Sequence, residues 1–215
     1  MTDLAMPVVI PFCPDIPEMP IEAVSPSLSL TLRSSTKVAH KEVELRLALP
    51  DSIFSVTDYR ACLTRFYQLY RPMESDFQRC SEWTTLGMDA SGSCFSNRLA
   101  ADLSALGASV AEIPDAPAAS LPPMPHFASA LGARYVMEGS ALGGQYMLPQ
   151  LQRTLGDGMT GADSFFRGRG RETGAFWQLF REALDRYGNG HPEQVANVVA
   201  SAIATFAAVG LWMRP

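Results

Sequence analysis

Apolar positions along this chain recur at intervals of three and four residues. Leu32, Thr36, Ala39, Val43 and Leu47 share one helical face, and Pro50 ends that helix, leaving Asp51 to Thr57 as a connection. The preceding SLSLTL alternates with period two and reads locally as strand, but the spacing turns helical at Leu32. A second helix starts near Thr57 or Asp58, both competent caps, and carries Tyr59, Leu63, Phe66 and Tyr70 as far as Pro72. After a break at DASGSC, NRLAADLSAL forms another helix stopped by Gly107, followed by the connection IPDAPAASLPPMP. A glycine-bearing helix then runs from about Phe127 to Met147, TLGDGMTGADS is loop, and two helices near Glu172 to Tyr187 and Pro192 to Trp212 finish the chain. No segment sustains strand alternation. The expected class is all-α, with an irregular helix-packed core rather than heptads.

With 215 residues, 47% of them hydrophobic, the chain suits one well-buried domain, expected over residues 27–215. Residues 1–26 hold prolines too dense for helix and form an extended arm outside it. A net charge of -5 excludes a general nucleic-acid footprint. Cys13, Cys62, Cys80 and Cys94 form no CxxC pair and have no zinc-spaced histidine partner, so reduced thiols are expected. The N-terminus lacks the basic and apolar regions of a signal peptide, which points to the cytoplasm. Val195 to Met213 approaches the length of a membrane span, but Asn197, Ser201 and Thr205 mark one helical face, as in a core helix, and no membrane partner is expected.

Two segments carry candidate chemistry. In RYVMEGSALGGQ, Gly139, Gly143 and Gly144 interrupt an apolar helix, each costing about 1 kcal/mol relative to Ala. Something approaches this backbone closely: a flat ligand, or a second helix in a small-xxx-small crossing. Earlier, Arg33, Lys37, His40 and Glu44 form one stripe, with two cations one and two turns above an imidazole. An imidazole nitrogen suits iron and the cations suit two carboxylates, a combination that heme presents. His126 and His191 lack such a stripe.

Together these segments resemble the proximal and distal helices of heme oxygenases. Arg33, Thr36, Lys37 and His40 match the family's N-terminal pattern. The resemblance implies His40 as iron ligand, Arg33 and Lys37 on the propionate side, and Glu44 orienting His40. YVMEGSALGG is similar to the distal run of bacterial members, including those associated with bacteriophytochromes. It implies a kinked helix over heme, with Gly139, Ser140 and Gly143 as the catalytic wall and Gly144 beside them. Ser140 stands where the mammalian-type pattern has an aspartate that anchors water for proton delivery. Arg134 or Tyr135 reaches a propionate or the rim, and the sequence does not choose between them.

Near the C-terminus, SFFRGRGRETGAFWQLFREALDRY is similar to the family's pocket-closing segment. Arg181 matches its basic residue, and Phe166, Phe176, Trp177 and Phe180 are pocket or core aromatics. Arg167, Arg169 and Arg171 would receive an acidic electron donor. The resemblance thus implies a heme-oxygenase-like helical fold with heme as cofactor and substrate. The expected activity uses dioxygen and electrons from a ferredoxin or a reductase, yields biliverdin, carbon monoxide and ferrous iron, and has a bacteriophytochrome as one acceptor of the bilin. A non-catalytic heme-binding or heme-transfer protein on the same fold is the alternative.

Overall fold

A computed structural model describes residues 27–89 and 94–213; the proline-rich segment 1–26 lies outside the described residues. Eight α-helices follow in order: α1 Leu28–Ser35, α2 Lys37–Leu47, α3 Val56–Gln78, α4 Phe95–Ala105, α5 Phe127–Leu155, α6 Ser164–Arg167, α7 Thr173–Gly190 and α8 Val195–Trp212. Short 3-10 turns join them, and no strand occurs among the described residues. The all-α expectation therefore holds.

Helix α5 is central and crosses α8 closely. A Cβ on Gly132 would stand 2.2 Å from the Val198 carbonyl oxygen, so only glycine permits this approach. Beside it, Ser201 Oγ donates to the Ser129 carbonyl at 2.6 Å and Thr205 Oγ1 donates to Ser201 O at 2.8 Å. Ser201 and Thr205 thus belong to the buried face of α8, with their hydroxyls bonded inside the crossing. Asn197 is exposed. By length and composition Pro192–Trp212 is apolar enough to span a membrane, and part of that stretch is instead buried against the bundle.

Helix boundaries depart from the local pattern where tertiary partners intervene. SLSLTL is helical because Leu28 and Leu32 are buried, and because Asp185 on α7 accepts from Ser29 N at 2.7 Å and Ser29 Oγ at 3.0 Å. The expected single helix breaks at Thr36, whose hydroxyl and amide both bond Leu32 O, at 2.8 and 2.9 Å, and turn the chain into α2. Helix α3 runs past Pro72. A proline leaves the carbonyl four residues earlier without its helical donor; here Ala116 N supplies a substitute to Gln68 O at 3.0 Å. Likewise α5 continues beyond Met147, through Pro149, to Leu155.

Buried carboxylates cap helices at a distance. Glu74 on α3 accepts from Phe95 N and Ser96 N at the start of α4, at 2.7 and 2.8 Å. Asp102 on α4 accepts from Ser164 N and Phe165 N at the start of α6, at 2.9 and 2.8 Å. Burial pushes the Asp102 pKa up, and these bonds pull it back. They fix Phe165 and Phe166 against Phe66 of α3, with ring centroids 5.1 and 6.5 Å away.

Candidate functional site

Helix α2 buries none of its residues. One side leans on α8, where a Cβ on Gly210 would meet Val43 Cγ2 at 3.2 Å. Another side bounds a cavity of about 940 Å³ whose opposite wall is α5. That volume lies at the upper end of the range for small-molecule and cofactor sites.

Two ties fix how these walls face each other. At one end Thr36 and Tyr135 both line the cavity, where the threonine hydroxyl lowers the Tyr135 pKa. At the other, Gln150 Nε2 on α5 donates to Asp51, just past α2, a pair 99 positions apart. From the two walls, His40 and Glu44 of α2 and Gly139 and Gly143 of α5 all line the cavity.

The His40 ring packs edge-on against Phe206 of α8, with centroids 5.4 Å apart and planes 84° apart. Its Nδ1 lies 3.6 Å from Glu44 Oε1. With Nδ1 turned to Glu44, Nε2 is the nitrogen available for another partner. Across the gap, a Cβ on Gly139 would meet only Trp177 Cη2 at 3.8 Å, and one on Gly143 only Met147 Cε at 3.9 Å. These two glycines leave backbone facing open space rather than a neighbouring helix.

Gly144 does not share that role. A Cβ there would stand 3.0 Å from Phe166 O, so this glycine seats α6 against α5 and does not line the cavity. Of the two places open to Phe180 the structure gives the core: it is fully buried, with the Arg134 guanidinium 5.8 Å from its ring, and Trp177 is the lining aromatic of α7.

The structure also separates Arg134 from Tyr135. Arg134 is buried, pairs with Glu138 at 3.3 Å, donates to Asp89 O at 2.8 Å and lies over the Trp83 ring at 4.6 Å. Tyr135 lines the cavity. Burial raises its pKa, while Thr36 and the charges of Arg181 and Arg33 oppose that rise. The cavity therefore has a cationic end, with Arg33 and Lys37 lining it and Arg181 near Tyr135 though outside the lining.

Ser140 lines the cavity and donates its hydroxyl proton to Met137 O at 2.7 Å. Tyr70 OH lies 3.2 Å from Ser140 Oγ, and with the serine proton committed elsewhere the tyrosine is the donor. Tyr70 is the residue that sequence reasoning missed. It was legible as a buried aromatic on α3, but nothing local shows that α3 delivers its hydroxyl to α5.

Of the arginines at the end of α6 and on the loop to α7, Arg167 pairs with Asp163, Arg169 stacks on Phe176 at 3.7 Å, and Arg171 is exposed. Phe166 is core. Among the described residues no group of three or more His, Cys, Asp or Glu side chains gathers for a free metal ion, and Cys62, Cys80 and Cys94 form no disulfide. One histidine lining a largely apolar cavity with cations beside it matches what iron protoporphyrin asks of a protein.

Known proteins give the same direction. The chain is similar to the structure of heme oxygenase from Leptospira interrogans, with a TM-score of 0.61, 21% identity, and coverage of 87% of this chain and 98% of that one. At that identity the likeness speaks for the fold. Among curated proteins, none matches. The family model described as heme oxygenase matches residues 26–214, nearly the whole chain, and the protein belongs to the heme oxygenase family.

Proposed function

We propose that the protein is a heme oxygenase, opening heme to biliverdin with release of carbon monoxide and ferrous iron, with dioxygen and electrons from an external donor. The observation that carries this reading is the lining of one cavity: His40, Arg33 and Lys37 come to it from one side, and the side-chain-free backbone of Gly139 and Gly143 comes from α5.

In this reading His40 Nε2 would hold the iron, with Glu44 3.6 Å from Nδ1 to help orient the ring. Arg33 and Lys37 would hold the propionates, with Arg181 and Tyr135 near the same end. Heme, when bound, supplies the redox centre for dioxygen activation and is itself the substrate. Gly139 and Gly143 leave room for a small ligand to lie against backbone. Ser140 and Tyr70 place two linked hydroxyls beside that room, in place of a carboxylate, and Ser140 would turn its proton from Met137 O to donate into it. Tyr70 is buried and its pKa is pushed up to about 12, so its phenol keeps its proton at neutral pH.

The working compartment is the cytoplasm. The electron donor is a ferredoxin or a reductase drawn to basic surface residues such as Arg171, and a bacteriophytochrome is one acceptor of the product. The test is addition of hemin to the purified protein, then ascorbate or a ferredoxin system in air with an iron chelator. Loss of the Soret band with growth of a biliverdin band supports the enzyme. A Soret band that survives both reductants would make it a heme-binding protein without turnover, the reading left open by the uncharged Ser140.

A further inference from the structure

An axial histidine fixes the centre of a macrocycle but not its rotation in its own plane. Turning a nearly square, mostly apolar disc about that axis changes little of its contact with α2 and α5. What limits rotation is the position of the cations and of any rigid side wall.

One aromatic side chain occupies that position. Trp177 enters the cavity from α7, and its Cη2 is the nearest atom to where a Gly139 Cβ would stand, at 3.8 Å. On one side its ring lies 5.5 Å from Tyr135, tilted by 40°. On another it lies 6.1 Å from Phe180, which is fully buried. The indole therefore spans the interval between the cationic end and the glycine opening, with core behind it. Arg181 follows one turn later on α7 and acts on Tyr135 together with Arg33. The stop and the cations of this end are thus carried partly by the same helix.

We infer that Trp177 is a specificity-determining residue: with Tyr135 it is the lateral stop that sets the in-plane orientation of the macrocycle. It thereby decides which meso carbon lies beneath Gly139. The inference rests on the heme reading above. Trp177→Phe keeps an aromatic stop, whereas Trp177→Ala and Trp177→Leu remove it, the leucine retaining bulk against Phe180 should the alanine variant fold poorly.

The experiment is hemin titration of wild type and the three variants, followed by proton NMR of the cyanide-bound ferric complexes. Their shifted ring-methyl signals count the seatings without turnover. Chromatography of the biliverdin isomers runs alongside. Wild type and Trp177→Phe are expected to show one dominant methyl set and one dominant isomer. In Trp177→Ala or Trp177→Leu a second set should hold about a tenth of the signal or more, since aromatic contacts of this kind shift such ratios by about tenfold. The isomer mixture should follow it. An unchanged methyl pattern in both truncations overturns the role of Trp177 and leaves the heme reading standing. Absence of a Soret band in wild type overturns the heme reading itself, and this inference with it.

Discussion

The Tyr70 hydroxyl lies 3.2 Å from Ser140 Oγ, whose own proton is bonded to Met137 O, so α3 donates into the cavity wall through a serine on α5. In the proposed reaction Ser140 would turn its proton from Met137 O into the cavity, with Tyr70 donating behind it. Tyr70→Phe removes the hydroxyl and preserves the ring that packs on Phe66 and Phe95. Hemin affinity should change by less than about threefold, while the ring-opening rate should fall by about a hundredfold, the lower range for a positioned proton donor. Hemin titration measures the affinity and single-turnover decay of the Soret band the rate, and an unaltered rate would remove Tyr70 from the chemistry.

Glycines of α5 should respond to a methyl group according to what they face. Gly132→Ala drives a Cβ to within 2.2 Å of Val198 O and Gly144→Ala to within 3.0 Å of Phe166 O. Each is expected to cost about 1–3 kcal/mol, read as a lower thermal midpoint. Gly139→Ala meets nothing nearer than 3.8 Å and gains helix propensity. It should be neutral or stabilising by up to about 1 kcal/mol in the ligand-free protein. Its deficit should appear only with hemin, as slower turnover. A destabilised Gly139→Ala would mean that this glycine serves packing.

This division explains how far the sequence could be read. The stripe Arg33, Lys37, His40 and Glu44 was legible because helical period alone puts those side chains on one face, and all four line the cavity. Gly139 and Gly143 were legible because glycine inside a helix demands a reason. That demand could not separate them from Gly144, which meets Phe166, and it passed over Gly132, where the helix crossing actually occurs. Helix ends failed where a distant partner overrides local preference. Asp185 holds Ser29 in helix, and Ala116 bonds the carbonyl that Pro72 leaves behind. Phe180 and Trp177 lie three residues apart on one helix, and period alone could not say which faces core.

Two arginines of similar sequence promise should separate under mutation. Arg134 is buried with Glu138, so Arg134→Met strands a carboxylate in the core. Removing one partner of such a pair costs about 3–5 kcal/mol. Arg33 is exposed on the cavity wall. Arg33→Ala should leave the thermal midpoint within about 2 °C, since surface changes stay near ±0.5 kcal/mol. It should weaken hemin binding and spare the binding of a hemin diester that lacks free carboxylates. Equal loss of both ligands would argue against a propionate role for Arg33.

Alkaline stability carries a signature of the same tyrosines. Burial raises the pKa of Tyr70 to about 12 and raises that of Tyr59, whose hydroxyl donates to Ala162 O at 2.7 Å. Their ordinary value is 10.0. As pH rises through that value the unfolded chain releases these protons while the folded chain keeps them, so the folded state binds more protons and stability falls with pH. Below pH 10 neither group contributes a slope. For Tyr70, a two-unit difference corresponds to about 3 kcal/mol lost between pH 10 and 12. Urea denaturation at pH 9, 10 and 11 should therefore show a steepening loss of stability, and Tyr70→Phe should lessen it, with Tyr59 still contributing, while leaving the slope between pH 7 and 9 untouched. Absorbance at 295 nm gives an independent reading, because two tyrosines should ionise only as the protein unfolds. If Tyr70→Phe left the alkaline slope intact, the buried hydroxyl would not be titrating as this packing requires.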